Sequence, residues 1–220
     1  MRAGRSSAPI CGLLCSVLLA SLAFPGFSTL AARPELRLTQ GVRLSLREKS
    51  LVQDELVERA SADWGGEWGR CRWWVGPFLE ARRNLEEGLW SRIEIGAELR
   101  GSPFHQWKAP FSWFQMASGL HRAWVKPGGD RIEWEIRALF DVPLPWRLGP
   151  RRSFLYALNE YTVDPASGEG IRNEIGAGLR VPISFSSSGL DLGLMLGWRH
   201  VDLIHGLDND QFEGALQLRF

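Results

Sequence analysis

The fold class follows from one segment of the sequence, Phe212-Glu213-Gly214-Ala215-Leu216-Gln217-Leu218-Arg219-Phe220. Successive side chains of a β-strand point to opposite faces, so a period of two in polarity indicates a strand with one apolar face. The apolar face of this segment carries Phe212, Leu216, Leu218 and Phe220. The polar face carries Glu213, Gln217 and Arg219. One face suits lipid and the other suits a wet interior.

The same alternation recurs along the chain and predicts further strands. It is strong in five segments: Glu35–Arg47, Leu89–Arg100, Arg131–Val142, Ile171–Ile183 and Leu190–His200. An α-helix would scatter both sets of side chains around its axis. Weaker segments fill the gaps: Leu56–Trp64, Arg70–Arg82, Ser112–Trp124 and Ser153–Val163. Turn sequences such as Gly65-Gly66 and Lys126–Asp130 separate the strands.

These patterns predict an all-β fold, a transmembrane antiparallel up-and-down β-barrel of about ten strands, with about eight or twelve as alternatives. Only closed barrels cross a membrane as strands, because lipid offers no partner to an open sheet edge. A soluble barrel with its apolar face turned inward is the competing interpretation. The membrane form is favoured because many of the 11 Trp residues lie near strand ends, where aromatic girdles form.

A barrel of this class is typical of the outer membrane of a Gram-negative-type bacterium. Its expected surroundings are outer-membrane lipids, and its expected partner during insertion is the barrel-assembly machinery. We expect that machinery to read the apolar face of the last strand, formed by Phe212, Leu216, Leu218 and Phe220. Phe220 is expected to end at the periplasmic edge of the barrel, which places the loop around His205, between the last two strands, outside the cell. This orientation also places two long segments, Gly101–Phe111 and Pro143–Arg152, on the periplasmic side, where short turns are usual.

The first part of the chain predicts export. Arg2 and Arg5 precede an uncharged stretch, Ile10–Ala23, and Thr29-Leu30-Ala31 has the small residues of a cleavage site. We therefore expect a signal peptide over residues 1–31 and a barrel domain over residues 32–220. The signal holds two of the 26 Lys and Arg residues and none of the 25 Asp and Glu residues, which leaves 24 cations against 25 acids. A nearly neutral surface argues against a nucleic-acid partner.

The polar face of the predicted strands is rich in opposite charges. It carries Arg37, Arg43, Arg72, Arg82, Arg92, Arg100, Arg137, Arg172, Arg180, Arg199, Arg219, Glu80, Glu94, Glu98, Glu133, Glu135, Glu160, Glu174 and Glu213. We expect these charges to pair across a largely occluded lumen, because the planar Arg fork matches a carboxylate. Glycines on the same face are expected to make room for the Arg side chains. A narrow ion or small-solute pore is the alternative.

The second half of the chain, from about Arg131, resembles an uncharacterised bacterial outer-membrane barrel family catalogued as a domain of unknown function. The resemblance lies in Leu158–Tyr161 and Gly170–Arg180, which place inward Glu and Arg on neighbouring late strands and continue into a Gly-rich amphipathic strand. It implies a membrane barrel without an assigned activity. It supplies no catalytic residues.

A polar cluster between the last two predicted strands is the best enzymatic lead: His200, Asp202, His205, Asp208 and Asp210. Small-barrel lipid A deacylases resemble it in a late His and Asn, but the Ser nucleophile has no counterpart here. Ten-stranded surface proteases are similar in using Asp and His to activate water. A lipid hydrolase or surface protease is thus the alternative to a structural or surface-interaction barrel. Asp208-Asn209-Asp210 is read as a polar turn rather than a calcium ligand set. The sequence predicts no cofactor and no metal.

Overall fold

The computed structural model describes residues 34–46, 54–68, 71–126, 129–147, 152–185, 190–204 and 208–220. Ten antiparallel strands form a closed barrel in which each strand pairs with its sequence neighbours and β1 pairs with β10. The predicted all-β antiparallel barrel is therefore confirmed, with ten strands. Among the described residues, no helix has the length and apolar character needed to cross a membrane.

The strands contain between 11 and 19 residues. They are β1 (Glu35–Ser45), β2 (Glu55–Trp68), β3 (Cys71–Asn84), β4 (Trp90–Ser102), β5 (Phe114–Val125), β6 (Gly129–Arg147), β7 (Arg152–Val163), β8 (Gly170–Phe185), β9 (Leu190–Leu203) and β10 (Asn209–Arg219). A short 3-10 turn, Phe111–Trp113, precedes β5. We call the end where β1 begins and β10 ends the near end, and the opposite end the far end.

Two expectations about the connections were wrong. Gly65-Gly66 is not a turn but part of β2, where its two residues pair with Trp74 and Trp73 of β3. A Cβ atom on Gly65 would lie 2.8 Å from the Trp74 ring, and one on Gly66 would lie 2.7 Å from the Trp73 ring. The glycines are therefore explained by the neighbouring indoles rather than by a change of chain direction.

The long near-end segment predicted at Pro143–Arg152 is also mostly strand. β6 continues to Arg147 and β7 begins at Arg152, and the pairing shifts register between Pro143 and Arg147. Proline removes a ladder donor, and this irregularity lets the strand continue past it. The other long segment is real, since residues 103–113 lie between β4 and β5 at the near end.

The outer wall is apolar over most of its height. Its large side chains are 38–55% exposed, and they include Leu36, Leu38, Leu79, Ile95, Leu99, Met116, Ile136, Leu155, Ile175, Leu196, Phe212 and Leu216. Many charged side chains of the same strands, such as Glu80, Glu94 and Glu174, are buried inside the barrel. The inward and outward faces thus have the polarity of a membrane barrel rather than that of a soluble barrel with an apolar lumen.

Inner-wall glycines make room for an aromatic ring as well as for an Arg side chain, since a Cβ atom on Gly176 would lie 3.2 Å from the Cγ atom of Arg199. Tyr156 is 1% exposed and lies inside the barrel. A Cβ atom on Gly197 would lie 2.1 Å from the Tyr156 hydroxyl oxygen, and one on Gly178 would lie 2.8 Å from the Tyr156 ring. These glycines of β9 and β8 therefore fix the place of the ring.

We predict that Gly197→Ala destabilises the barrel by about 1–3 kcal/mol, because the new methyl group collides with Tyr156. Gly193→Ala is the matched control on the same face of β9, where the nearest atom to the new Cβ lies at 3.9 Å. The control should change stability by less than about 1 kcal/mol. Urea unfolding in detergent micelles measures both, and Tyr156→Phe should partly rescue Gly197→Ala. Equal effects of the two alanines would contradict the steric explanation.

Candidate functional site: the charged lumen

The interior of the barrel is filled with charged side chains that are almost fully buried. The least exposed carboxylates are Glu133 at 0%, Glu94 at 2% and Glu174 at 2%. Burying an isolated charge is costly, so each buried ion needs a partner and hydrogen bonds. Alternation along the strands delivers both signs to the same face, and the closed sheet then holds them within reach of each other.

Glu98 of β4 is the junction of this interior network. It accepts a hydrogen bond from Arg59 of β2 at 3.1 Å and lies 3.6 Å from the guanidinium of Arg137 on β6. Arg100, two residues along β4, lies 3.1 Å from its other carboxylate oxygen. Neither β2 nor β6 is a sheet neighbour of β4, so these ion pairs tie together strands that the backbone ladder does not join.

One branch of the network runs from the junction to the far end. Arg59 and Arg82 both bind Glu80, and Arg82 lies 3.4 Å from Glu94. Arg92 then donates to Glu94 and, at 2.5 Å, to Glu133 of β6.

Two further side chains complete the surroundings of Glu133. The His121 Nε2 atom lies 3.2 Å from a Glu133 oxygen, and the Arg131 Nε atom donates to the other oxygen at 2.6 Å. His121 is thus part of the network, which here joins β5 to β6.

The second branch runs along the later strands. Arg137 donates to Glu160 of β7 at 3.0 Å and also binds Glu135. Arg172 of β8 lies 3.4 Å from Glu160 and 3.3 Å from Glu174.

Arg199 of β9 closes this branch. It donates to Glu174 at 2.7 Å and also binds Glu213 of β10. A continuous series of ion pairs therefore links β2 through β10.

At the near end the network reaches β1. Asp63 of β2 lies 2.5 Å from Arg100 and 4.0 Å from Arg37 of β1. Arg180 donates to Asp141 at 2.8 Å across β7, which lies between their strands.

The sequence-predicted charges differ in how they enter this network. The proposed set, Arg92, Glu94, Glu98, Arg100, Glu133, Glu135, Arg137, Glu160, Arg172, Glu174 and Arg180, lies inside the barrel and each member makes an ion pair. Arg72 does not join it, because its side chain is 49% exposed at the near-end rim and pairs with Glu67. Sequence reasoning missed Arg59 and Asp63, which share a period-two face with Val57 in the weakly patterned β2.

Two cavities lie at opposite ends of the barrel and share no lining residue. The near-end cavity has a volume of about 320 Å³ and is lined by Glu35, Asp63, Gly65, Gly66, Glu67, Arg72 and Trp74. The far-end cavity has a volume of about 280 Å³ and is lined mainly by cationic and aliphatic side chains. Between them lie the buried side chains of the ion-pair network.

The enzymatic candidates do not converge on a site within the described residues. The His200 Nδ1 atom lies 3.0 Å from an Asp210 oxygen, but alternation along β9 places this pair on the outer wall, beside the exposed Trp198. Asp202 pairs in register with Asn173 of β8. His205 lies outside the described residues.

Asn209 and Asp210 face opposite sides of β10, which separates two members of the run considered as a calcium ligand set. Asn209 is fully buried and accepts a hydrogen bond from the Ser45 hydroxyl at 3.0 Å. Across the described parts of the chain, no group of three or more His, Cys, Asp or Glu side chains is arranged to hold a metal ion.

Comparison with solved structures gives a likeness of fold. The chain is similar to the crystal structure of the beta domain of the Bordetella autotransporter Brka, with 13% sequence identity and a TM-score of 0.37, over 86% of this chain and 98% of that chain. No protein-family model matches the chain, and no curated protein matches it. The resemblance of the second half to an uncharacterised barrel family therefore stays a prediction.

We predict that Glu98→Gln destabilises the barrel by about 3–5 kcal/mol, because it leaves three guanidinium groups without their shared counter-ion. Glu67→Gln is the matched control, since the Glu67–Arg72 pair has side chains 50% and 49% exposed. Exposed pairs contribute about 0–1 kcal/mol. Urea titration in micelles compares the two variants. A loss for Glu98→Gln no larger than that of the control would show that the junction does not stabilise the fold.

Proposed function

We propose that this chain is an integral outer-membrane β-barrel whose lumen is closed by its own ion pairs and which has a structural or surface-interaction role. The observation that carries the proposal is the continuous series of ion pairs that links strands on all sides of the interior, with Glu98 bridging Arg59 and Arg137 at its centre. A network of this kind holds the strands together from within. It also fills the space through which a solute would pass.

The outer wall supports a membrane location. Tilted membrane strands need about 9–11 residues, and every strand here has at least 11. Polar groups on the wall pair with neighbouring strands, as lipid requires. The Trp134 indole N–H donates to the Ser118 hydroxyl at 2.9 Å, and the Asn159 amide donates to the Asn173 side chain at 2.8 Å.

Both ends of the wall have side chains suited to a membrane surface. At the far end, Arg122 donates a hydrogen bond to Asp130, and the two side chains are 57% and 46% exposed respectively. At the near end, the tilted rings of Phe104 and Trp107 have centroids 4.9 Å apart, and the centroids of Trp107 and Phe111 are 5.7 Å apart. Trp107 and Phe111 are 47% and 54% exposed. Aromatic side chains favour the interface between lipid and water, so we assign this cluster to the near-end membrane surface.

The occluded lumen distinguishes the proposal from a pore. Arg172 of β8 acts electrostatically on Glu94 of β4, which lies four strands away around the barrel. Ion pairs such as that between Arg59 of β2 and Glu98 of β4 join strands that are not neighbours, so these side chains extend into the lumen. Neither cavity reaches the lining of the other.

We expect the purified, refolded chain to give no steady single-channel current in planar lipid bilayers, because paired side chains fill the lumen. The matched test is the double variant Glu98→Ala with Arg137→Ala, which removes two central members together and should introduce small currents. A large, steady conductance of the wild-type chain would overturn the occluded lumen and support a pore.

A membrane location predicts that the chain fractionates with the outer membrane of the bacterium that expresses it. It also predicts that the folded form migrates differently on a denaturing gel before and after heating, as folded barrels do. Extraction by carbonate or urea distinguishes embedded protein from attached protein, and we expect resistance to both. Recovery as a soluble monomer would contradict the proposal.

Export by a signal peptide over residues 1–31 and recognition of Phe212, Leu216, Leu218 and Phe220 by the assembly machinery remain predictions. In the structure, Phe212, Leu216 and Phe220 are 55%, 49% and 57% exposed, as a membrane-facing strand requires. No observation among the described residues favours the hydrolase or protease alternative.

A further inference from the structure

The far-end cavity is a cationic vestibule. Its lining includes the six cations Arg43, Arg82, Arg92, Lys126, Arg131 and Arg172, against the two acids Glu55 and Glu174. We propose that this vestibule binds a phosphate-type oxyanion, with Arg43 as its central ligand. This inference is separate from the proposed occlusion of the lumen.

The surroundings of Arg43 distinguish this vestibule from the ion-pair network in the rest of the lumen. Its side chain lines the cavity, and the residue is only 7% exposed. Within the part of the chain that the structure describes, it makes no ion pair, and its Nε atom is a buried donor without an acceptor. A buried guanidinium N–H without an acceptor among the described residues points to a ligand that supplies one, while Glu80, Glu174 and Glu213 attract the Arg43 charge only from beyond ion-pair distance.

Three other cations of the vestibule are paired with carboxylates that do not line it. Arg82 and Arg92 both contact Glu94, and Arg92 and Arg131 both contact Glu133.

Arg172 is paired with Glu174, which does line the cavity. Arg43 and Lys126 make no ion pair among the described residues, so these two lining cations supply the positive charge that attracts an anion.

The chemistry of the lining selects an oxyanion. An Arg fork donates two parallel N–H bonds to a phosphate or carboxylate, and several forks around one cavity suit the three or more oxygens of a phosphate group. Aliphatic side chains complete the lining: Val125, Ile171, Val201 and Leu203. They suit an organic portion attached to the phosphate. The ligand is thus a phosphate group carried by a small molecule, free phosphate, or a phospholipid headgroup at the barrel mouth.

Isothermal titration calorimetry of the full-length folded chain in dodecylmaltoside micelles with inorganic phosphate tests the proposal. We expect saturable binding, and we expect Arg43→Gln to weaken it by about tenfold or more. Arg122→Gln is the matched control, because Arg122 lies at the same end but on the outer wall. It should change the affinity by less than about twofold. Folding of each variant is checked by the heat-dependent gel shift.

A second arm separates the two sources of the phosphate group. Mixed micelles with phosphatidylglycerol should displace inorganic phosphate if a lipid headgroup reaches the vestibule, and should leave its binding unchanged if the ligand comes only from water. Should Arg43→Gln fail to fold, Lys126→Gln replaces it, because Lys126 is exposed at the mouth of the cavity. The proposal is overturned if the wild type shows no saturable phosphate binding in either micelle type. It is also overturned if the variant with the substituted vestibule residue binds phosphate as tightly as the wild type.

Discussion

A charge inside the barrel must find its counter-ion inside the barrel, and the interior depends on this constraint. The inner wall presents arginines and glutamates in alternation along each strand, and ring closure brings the strands within side-chain reach. Glu98 shows the result, because it is shared by Arg59, Arg100 and Arg137. Such pairs are poor evidence of net stability relative to an apolar core, yet removing one partner is costly. The network therefore fixes which strands can lie near each other.

The outer wall follows from the same alternation. Each residue directed inward leaves its neighbours directed outward, so the aliphatic residues that alternate with the charges form the exterior. The far end of this wall changes to polar pairs such as Arg122–Asp130, and the near end carries the aromatic cluster around Trp107. A membrane is the environment in which such a wall is stable. Fold and proposed location thus have one physical origin.

The pairing of buried charges differs along the barrel axis. We expect a ligand site where a buried charge has no counter-ion close to it. In the middle, Glu98 is paired with Arg59, Arg100 and Arg137. At the far end Arg43 makes no ion pair among the described residues, its buried Nε atom lacks an acceptor, and the cavity beside it is lined by six cations against two acids. A structural network needs no such excess of one sign. A vestibule for an anion does.

The period-two pattern was sufficient for the all-β class, for a count of about ten strands and for the inward face of the strongly patterned strands, because the side-chain direction of a strand is a local property. Local signals failed where neighbours decide the outcome. Gly65-Gly66 has turn composition but lies beneath Trp74 and Trp73, and Gly197 gives way to Tyr156. Which arginine pairs with which carboxylate followed only from the tertiary structure, since ion pairs form between strands far apart in sequence. That is why the junction at Glu98 and the unpaired Arg43 became visible only once the barrel was closed.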